Sequence, residues 1–102
     1  MSSSTIEPRA ASASSVETTD DALTVSLTDG RTIVVPLAWY PRLLHGTAEE
    51  RRRWRAVDGG RGLHWTDLDE DVRVDDLLAG RASGESQASL RKWLDRRADG
   101  RS

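Results

Sequence analysis

From Leu23 to Leu27 apolar residues alternate with Thr24 and Ser26, and the alternation returns at Ile33, Val35 and Leu37 after the turn pair Asp29-Gly30. Such a pattern predicts a β-hairpin. Leu23 and Val25 oppose Val35 and Ile33 only if Thr28, Asp29 and Gly30 form a three-residue loop, because a two-residue loop would turn Ile33 and Val35 to the other face. A bulged loop with Gly30 in the left-handed region is therefore expected. Val16 begins a less sharply marked first edge strand, and Pro36, which lacks an N–H, marks the edge or end of the return strand.

After Leu37 the period changes. Trp39 to Leu44 suits a short helix entered through Pro41 and ended by Gly46. Thr47 and Glu50 have the capping-box spacing, which predicts a second helix from Ala48 to Arg55, anchored by Trp54, with Arg51, Arg52, Arg53 and Arg55 mostly solvated. Gly59-Gly60-Arg61-Gly62 reads as a turn before a strand at Leu63-His64-Trp65, and Asp67 to Asp71 as an acidic loop. Asp75 and Asp76 favour the start of a short helix through Leu77 and Leu78, stopped by Gly80. Ser86 is placed to cap a final amphipathic helix on which Leu90, Trp93, Leu94 and Arg97 share a face.

These elements indicate an α+β fold: a small antiparallel sheet with short helices packed on it and a C-terminal amphipathic helix. The expected organisation is a disordered Ser/Ala-rich tail over residues 1–15, a compact domain over 16–80, a linker over 81–85, a helix over 86–98 and a short tail over 99–102.

Composition narrows the function. With 102 residues there is room for one domain with a thin core, and 36% apolar against 31% charged residues leaves part of the length for tail. The absence of cysteine removes disulfides, thiolate nucleophiles and thiolate metal sites, and fits a reducing cytoplasm. No apolar run approaches a membrane span and the N-terminus lacks a signal-peptide pattern, so a cytoplasmic protein without membrane contact is expected. The formal net charge is −2, but it alternates along the chain: −3 over residues 1–41, +3 over 42–62, −5 over 63–80 and +3 over 81–102. Blocks of opposite sign neutralise one another within a fold, so neither sign alone identifies a partner.

The chain resembles the bacterial family numbered 2442 among domains of unknown function. The resemblance runs from about Val16 to Gly80. It is carried by Leu27-Thr28-Asp29-Gly30-Arg31, by Val35-Pro36-Leu37-Ala38-Trp39-Tyr40-Pro41-Arg42-Leu43, by Glu49-Glu50-Arg51 with Trp54, and by Gly62-Leu63-His64-Trp65 followed by Leu68-Asp69-Glu70-Asp71. Thr66 stands where the family usually has proline. The resemblance implies a small antiparallel sheet with helices and no established activity. Some similar proteins are fused to helix-turn-helix domains or encoded beside another small protein, which implies an antitoxin-like or regulatory binding role.

Candidate chemistry is sparse. Asp67-x-Asp69-x-Asp71 imitates the start of a calcium loop, but Val72 replaces the glycine and Leu78 the glutamate that such a loop needs. His45 and His64 are the only histidines, too few for a zinc site without several carboxylates. His64 is read either as a strand histidine bonded to Asp69 or Asp71, or as a recognition residue in a cleft. Gly59 to Gly62 lacks the lysine of a phosphate loop and leads into a strand, which makes it a turn. No catalytic residue, metal site or cofactor is expected.

The expected function is a non-enzymatic protein-interaction module, the antitoxin-like component of a bacterial two-component system, whose partner is another small protein encoded by a neighbouring gene. Trp39, Trp54 and Trp65 are read first as core residues that fill space, while His64, Trp65, Asp69, Glu70 and Asp71 form one half of the expected partner surface and Leu90, Trp93 and Leu94 the apolar half. The alternative is a small regulator that contacts nucleic acid through Arg51, Arg52, Arg53 and Arg55.

Overall fold

The computed structural model describes residues 11–100. Six strands fall into two sheets: β1 (Ala13–Thr18), β2 (Ala22–Leu27) and β3 (Thr32–Pro36) in that order in the first, and β4 (Trp54–Val57), β5 (Gly62–Trp65) and β6 (Glu70–Arg73) in the second. Every pairing is antiparallel. Short helices α1 (Pro41–His45) and α2 (Ala48–Arg52) connect the sheets, α3 (Val74–Ala79) follows the second, and α4 (Gln87–Gly100) is C-terminal. The α+β class is as the sequence indicates, with the strands divided between two sheets.

The β2–β3 hairpin has the register that the apolar pattern demands. Leu23 pairs with Val35 and Val25 with Ile33, and the Leu27 amide donates to Arg31 O at 2.8 Å across the three-residue loop. Gly30 adopts φ +95°, a conformation that glycine reaches without the Cβ clash other residues meet. Pro36 ends β3 on the outer edge of the sheet, where no amide is missed.

β1 starts at Ala13, inside the stretch expected to be tail, because Ala13 and Val16 gain pairing with Leu27 and Val25 that composition alone does not reveal. Residues 1–10 of that expected tail lie outside the described residues, as do the last two.

The helix expected from Ala48 to Arg55 stops at Arg52. Its capping box is present, with Thr47 Oγ1 accepting from the Glu50 amide at 3.0 Å and Glu50 Oε1 accepting from the Thr47 amide at 2.9 Å. Trp54 then opens β4 and pairs with Trp65, so strand pairing wins the residues that helical periodicity had claimed. α3 ends as expected at Gly80, φ +74°.

Both sheets close on one core. Leu23, Val25 and Leu37 from the first half meet Leu63, Trp65 and Val72 from the second, all fully or almost fully buried, and Trp93 of α4 joins them.

Candidate functional site

Strand alternation sorts the side chains of the second sheet. Arg55, His64 and Asp71 stand in one row on its outer face, while Trp54, Trp65 and Glu70 stand in the adjacent row on the core face. His64 is accordingly half-buried, and its Nδ1 lies 2.7 Å from Asp71 Oδ1. Trp65 is completely buried, and its indole N–H donates to Arg51 O at 2.9 Å. Trp65 therefore belongs to the core and cannot face a partner, which corrects its place in the expected partner surface.

Asp69, Glu70 and Asp71 all line one shallow depression, although their side chains turn in different directions. Asp69 is exposed, Asp71 turns outward to His64, and Glu70, inward with Val72, has one carboxylate oxygen buried without a hydrogen-bond partner among the described residues. Desolvation raises the Glu70 pKa to about 7, despite a hydrogen bond from the Asp71 amide and the nearby Arg42 charge. Beside it Arg42 donates from Nε to both oxygens of Glu85, at 2.9 and 3.0 Å, and from Nη1 to Asp69 O at 3.0 Å. The Arg42 guanidinium holds the Glu85 carboxyl below the usual carboxylate range, and Ser89 Oγ adds a 2.8 Å bond. With Arg42, Glu85 and Ser89 the three acidic residues make a site in which one guanidinium, paired with Glu85 at 2.6 Å and Asp69 at 3.4 Å, meets four carboxyl groups, so the depression keeps an acidic character. Among the described residues no group of three or more His, Asp or Glu side chains is placed to hold a metal ion.

The C-terminal helix is docked on its own domain. Trp93 is only 5% exposed, with the guanidinium groups of Arg42 and Arg97 at 5.2 and 4.7 Å from its ring centre. Leu90 and Leu94 are half-buried against the same core. The apolar stripe expected to meet a partner is thus largely spent inside the molecule, because a thin core gains more by covering it than by leaving it to solvent. Glu50 paired with Arg97, and Arg42 with Glu85, are the complementary charges that guide this docking.

The four arginines are dispersed as well. Arg51 is buried, Arg53 pairs with Glu49 and Asp67, Arg55 sits on the outer face of β4, and only Arg52 remains on the exposed side of α2. They do not make the single basic face that a nucleic-acid contact would use.

A groove that the sequence did not mark lies between the sheets. It has a volume of about 470 Å³ and is lined by Val16, Glu17 and Thr18 of β1, by Arg51 and Arg52 of α2 and by Trp54 of β4. β1 and β4 are both edge strands. Ser12 Oγ donates to Gly59 O at 3.1 Å and ties the start of β1 to the turn after β4. The free edges can be read from register: the Thr19 amide bonds Ala22 O, so alternation directs the amides and carbonyls of Val16 and Thr18 away from β2. Likewise the Val74 amide bonds Arg61 O, which places Gly62 and His64 in hydrogen-bonded pairs with Val57 and Arg55 and leaves Trp54 and Ala56 directed outward.

Arg51 gives the groove its charge. Its Nη1 donates to Leu43 O and Gly46 O at 3.1 and 2.9 Å, and its Nη2 meets Asp20 at 3.2 Å. The Nε–H is buried without a partner among the described residues, and Asp20 is almost fully exposed, so the charge is poorly compensated. This burial corrects the solvated position expected for Arg51. The sequence signal was available in the carbonyls freed by Gly46 at the end of α1, which a long basic side chain five residues on can reach.

No helix among the described residues is long and apolar enough to cross a membrane. No curated protein shows significant similarity to the chain. Two solved structures share its fold. One is a protein of unknown function from Rhodospirillum rubrum, 23% identical, with a TM-score of 0.64 over 78% of this chain and 96% of that one. The other is an uncharacterised protein from Chromobacterium violaceum, 22% identical, with a TM-score of 0.62 over 79% of this chain and 74% of that one. The family described as protein of unknown function (DUF2442) matches residues 13–83, which span both sheets, and the chain belongs to that family.

Proposed function

We propose that the protein works by binding another protein and carries out no reaction of its own. The open edge of β1 beside the groove carries this reading: a row of outward amides and carbonyls is a template on which an extended chain can pair. Apart from Glu70, the ionisable side chains around the depression and α4 are engaged in the fold, since Arg42 holds Glu85, Arg97 holds Glu50 and His64 meets Asp71. Their geometry supports a scaffold that presents a surface.

In its sharper form the proposal makes the chain the antitoxin-like member of a cytoplasmic bacterial pair, with a small partner encoded beside it. Purification of the tagged full chain from its source cell is then expected to bring down one protein in stoichiometric amount. The gene of that protein, expressed alone, is expected to arrest growth until this chain is co-expressed. A chain that elutes alone counts against any binding role, and a harmless partner counts against the antitoxin-like one.

A further inference from the structure

We propose that the groove between β1 and β4 receives an extended segment of the partner protein, which adds to the β1 edge with an acidic residue facing Arg51 and a basic neighbour facing Glu17. Such docking presupposes the protein-binding role proposed above.

Backbone geometry comes first. Val16 and Thr18 face the core side of the first sheet, Glu17 the outer side, and all three line the groove together with Thr19 and with Thr24, the β2 partner of Glu17, so the groove wraps around the edge of β1. The outward amides and carbonyls of Val16 and Thr18 supply the ladder that an added strand needs. Trp54, half-buried in the opposite wall, offers an indole face for an apolar residue of the incoming segment.

Charge then selects the sequence. On the inner side Arg51 lines the groove and its guanidinium faces only one well-solvated carboxylate, while its Nε–H is buried beyond direct reach, so a partner carboxylate would compensate the charge across the groove wall without bonding Nε. Arg52 stands on the same wall. On the outer side Glu17 is exposed and asks for a cation. Successive residues of a strand point to opposite sides, so both demands are met by adjacent residues of opposite charge within an otherwise β-prone segment.

The probe is the blocked peptide acetyl-Val-Thr-Val-Lys-Glu-Thr-Val-amide, titrated into the full chain and followed by backbone amide shifts. Shifts concentrated at Val16, Thr18, Trp54 and Ala56 are expected, with binding weakened about tenfold when the peptide glutamate becomes glutamine, a loss typical of one charge-assisted contact. Arg51→Met should abolish that difference between the two peptides. Because Arg51 also holds carbonyls of the chain, Thr18→Pro provides a second variant: it removes an outward amide without breaking a β2 bond, and should weaken binding about tenfold with the melting curve intact. Shifts located elsewhere, equal binding of both peptides, or self-association of the chain that is lost in Thr18→Pro would each overturn the proposal. If no peptide binds while a partner still co-purifies, the groove assignment falls and the protein-binding role stands. If the chain also purifies alone, both fall.

Discussion

Arg97, near the end of α4, forks across both carboxylate oxygens of Glu50 in α2, at 2.9 and 3.2 Å, although 47 residues separate them in sequence. The same guanidinium covers the Trp93 ring, so one side chain fastens the C-terminal helix by charge and by stacking. Glu50 is also the residue that completes the capping box of α2, and its Oε1 therefore receives the Thr47 amide as well as Arg97.

Arg97→Met is expected to destabilise the fold by about 1–2 kcal/mol, the sum of a partly shielded ion pair and a cation–π contact. Arg97, followed by the capping amide, lowers the Glu50 pKa to about 2 from 4.5. A lowered carboxylate pKa contributes stability that is complete above 4.5 and lost as pH falls through about 2. Thermal melts across that range should show the wild type losing stability more steeply than Arg97→Met.

Glu70 gives the opposite sign. Its folded-state pKa of about 7 lies above the ordinary carboxyl value of 4.5, so the buried carboxyl favours the fold while protonated and opposes it increasingly as pH rises from 4.5 to 7. Glu70→Gln should remove this dependence and raise stability at pH 8 by about 1 kcal/mol after allowance for partial solvent exposure. Denaturant titrations at pH 5 and pH 8 provide the comparison.

Trp93→Ala should cost about 3 kcal/mol or more, as expected for emptying a buried indole site. Amide exchange in α4 should accelerate together with the loss of stability. An unchanged midpoint with a mobile α4 would place Trp93 outside the core.

Gly46→Ala is expected to destabilise by about 1–3 kcal/mol through overpacking. A Cβ there would stand 2.7 and 2.8 Å from the terminal carbons of the fully buried Leu68 side chain. Urea denaturation of the variant measures the effect.

Short-range pattern made the β2–β3 hairpin, the Thr47 cap and the Gly80 stop legible, because each depends on a few neighbouring residues. The end of α2 at Arg52 was not legible: Arg53 to Arg55 suits a helix locally, and only the distant partners Trp65 and His64 convert Trp54 and Arg55 to strand. The strand reading of His64, bonded to Asp69 or Asp71, left the acceptor open, and the pairing of His64 with Asp71 across β5 and β6 decides it. Trp65 fits its core reading and not its place in the partner surface, and the burial of Trp93 and Arg51 was not legible, because it is decided by how two sheets and a terminal helix meet, which no local period encodes. The groove escaped for the same reason, being made by strands nearly 40 residues apart.

The most direct measurement is hydrogen exchange on the complex of the full chain with the protein that co-purifies with it. Partner binding at the β1 edge predicts new protection of the outward amides of Val16 and Thr18, with lesser changes at Trp54 and Ala56 across the groove. Protection confined to the β3 edge or to α4, with the β1 edge exchanging as in the free chain, would contradict it.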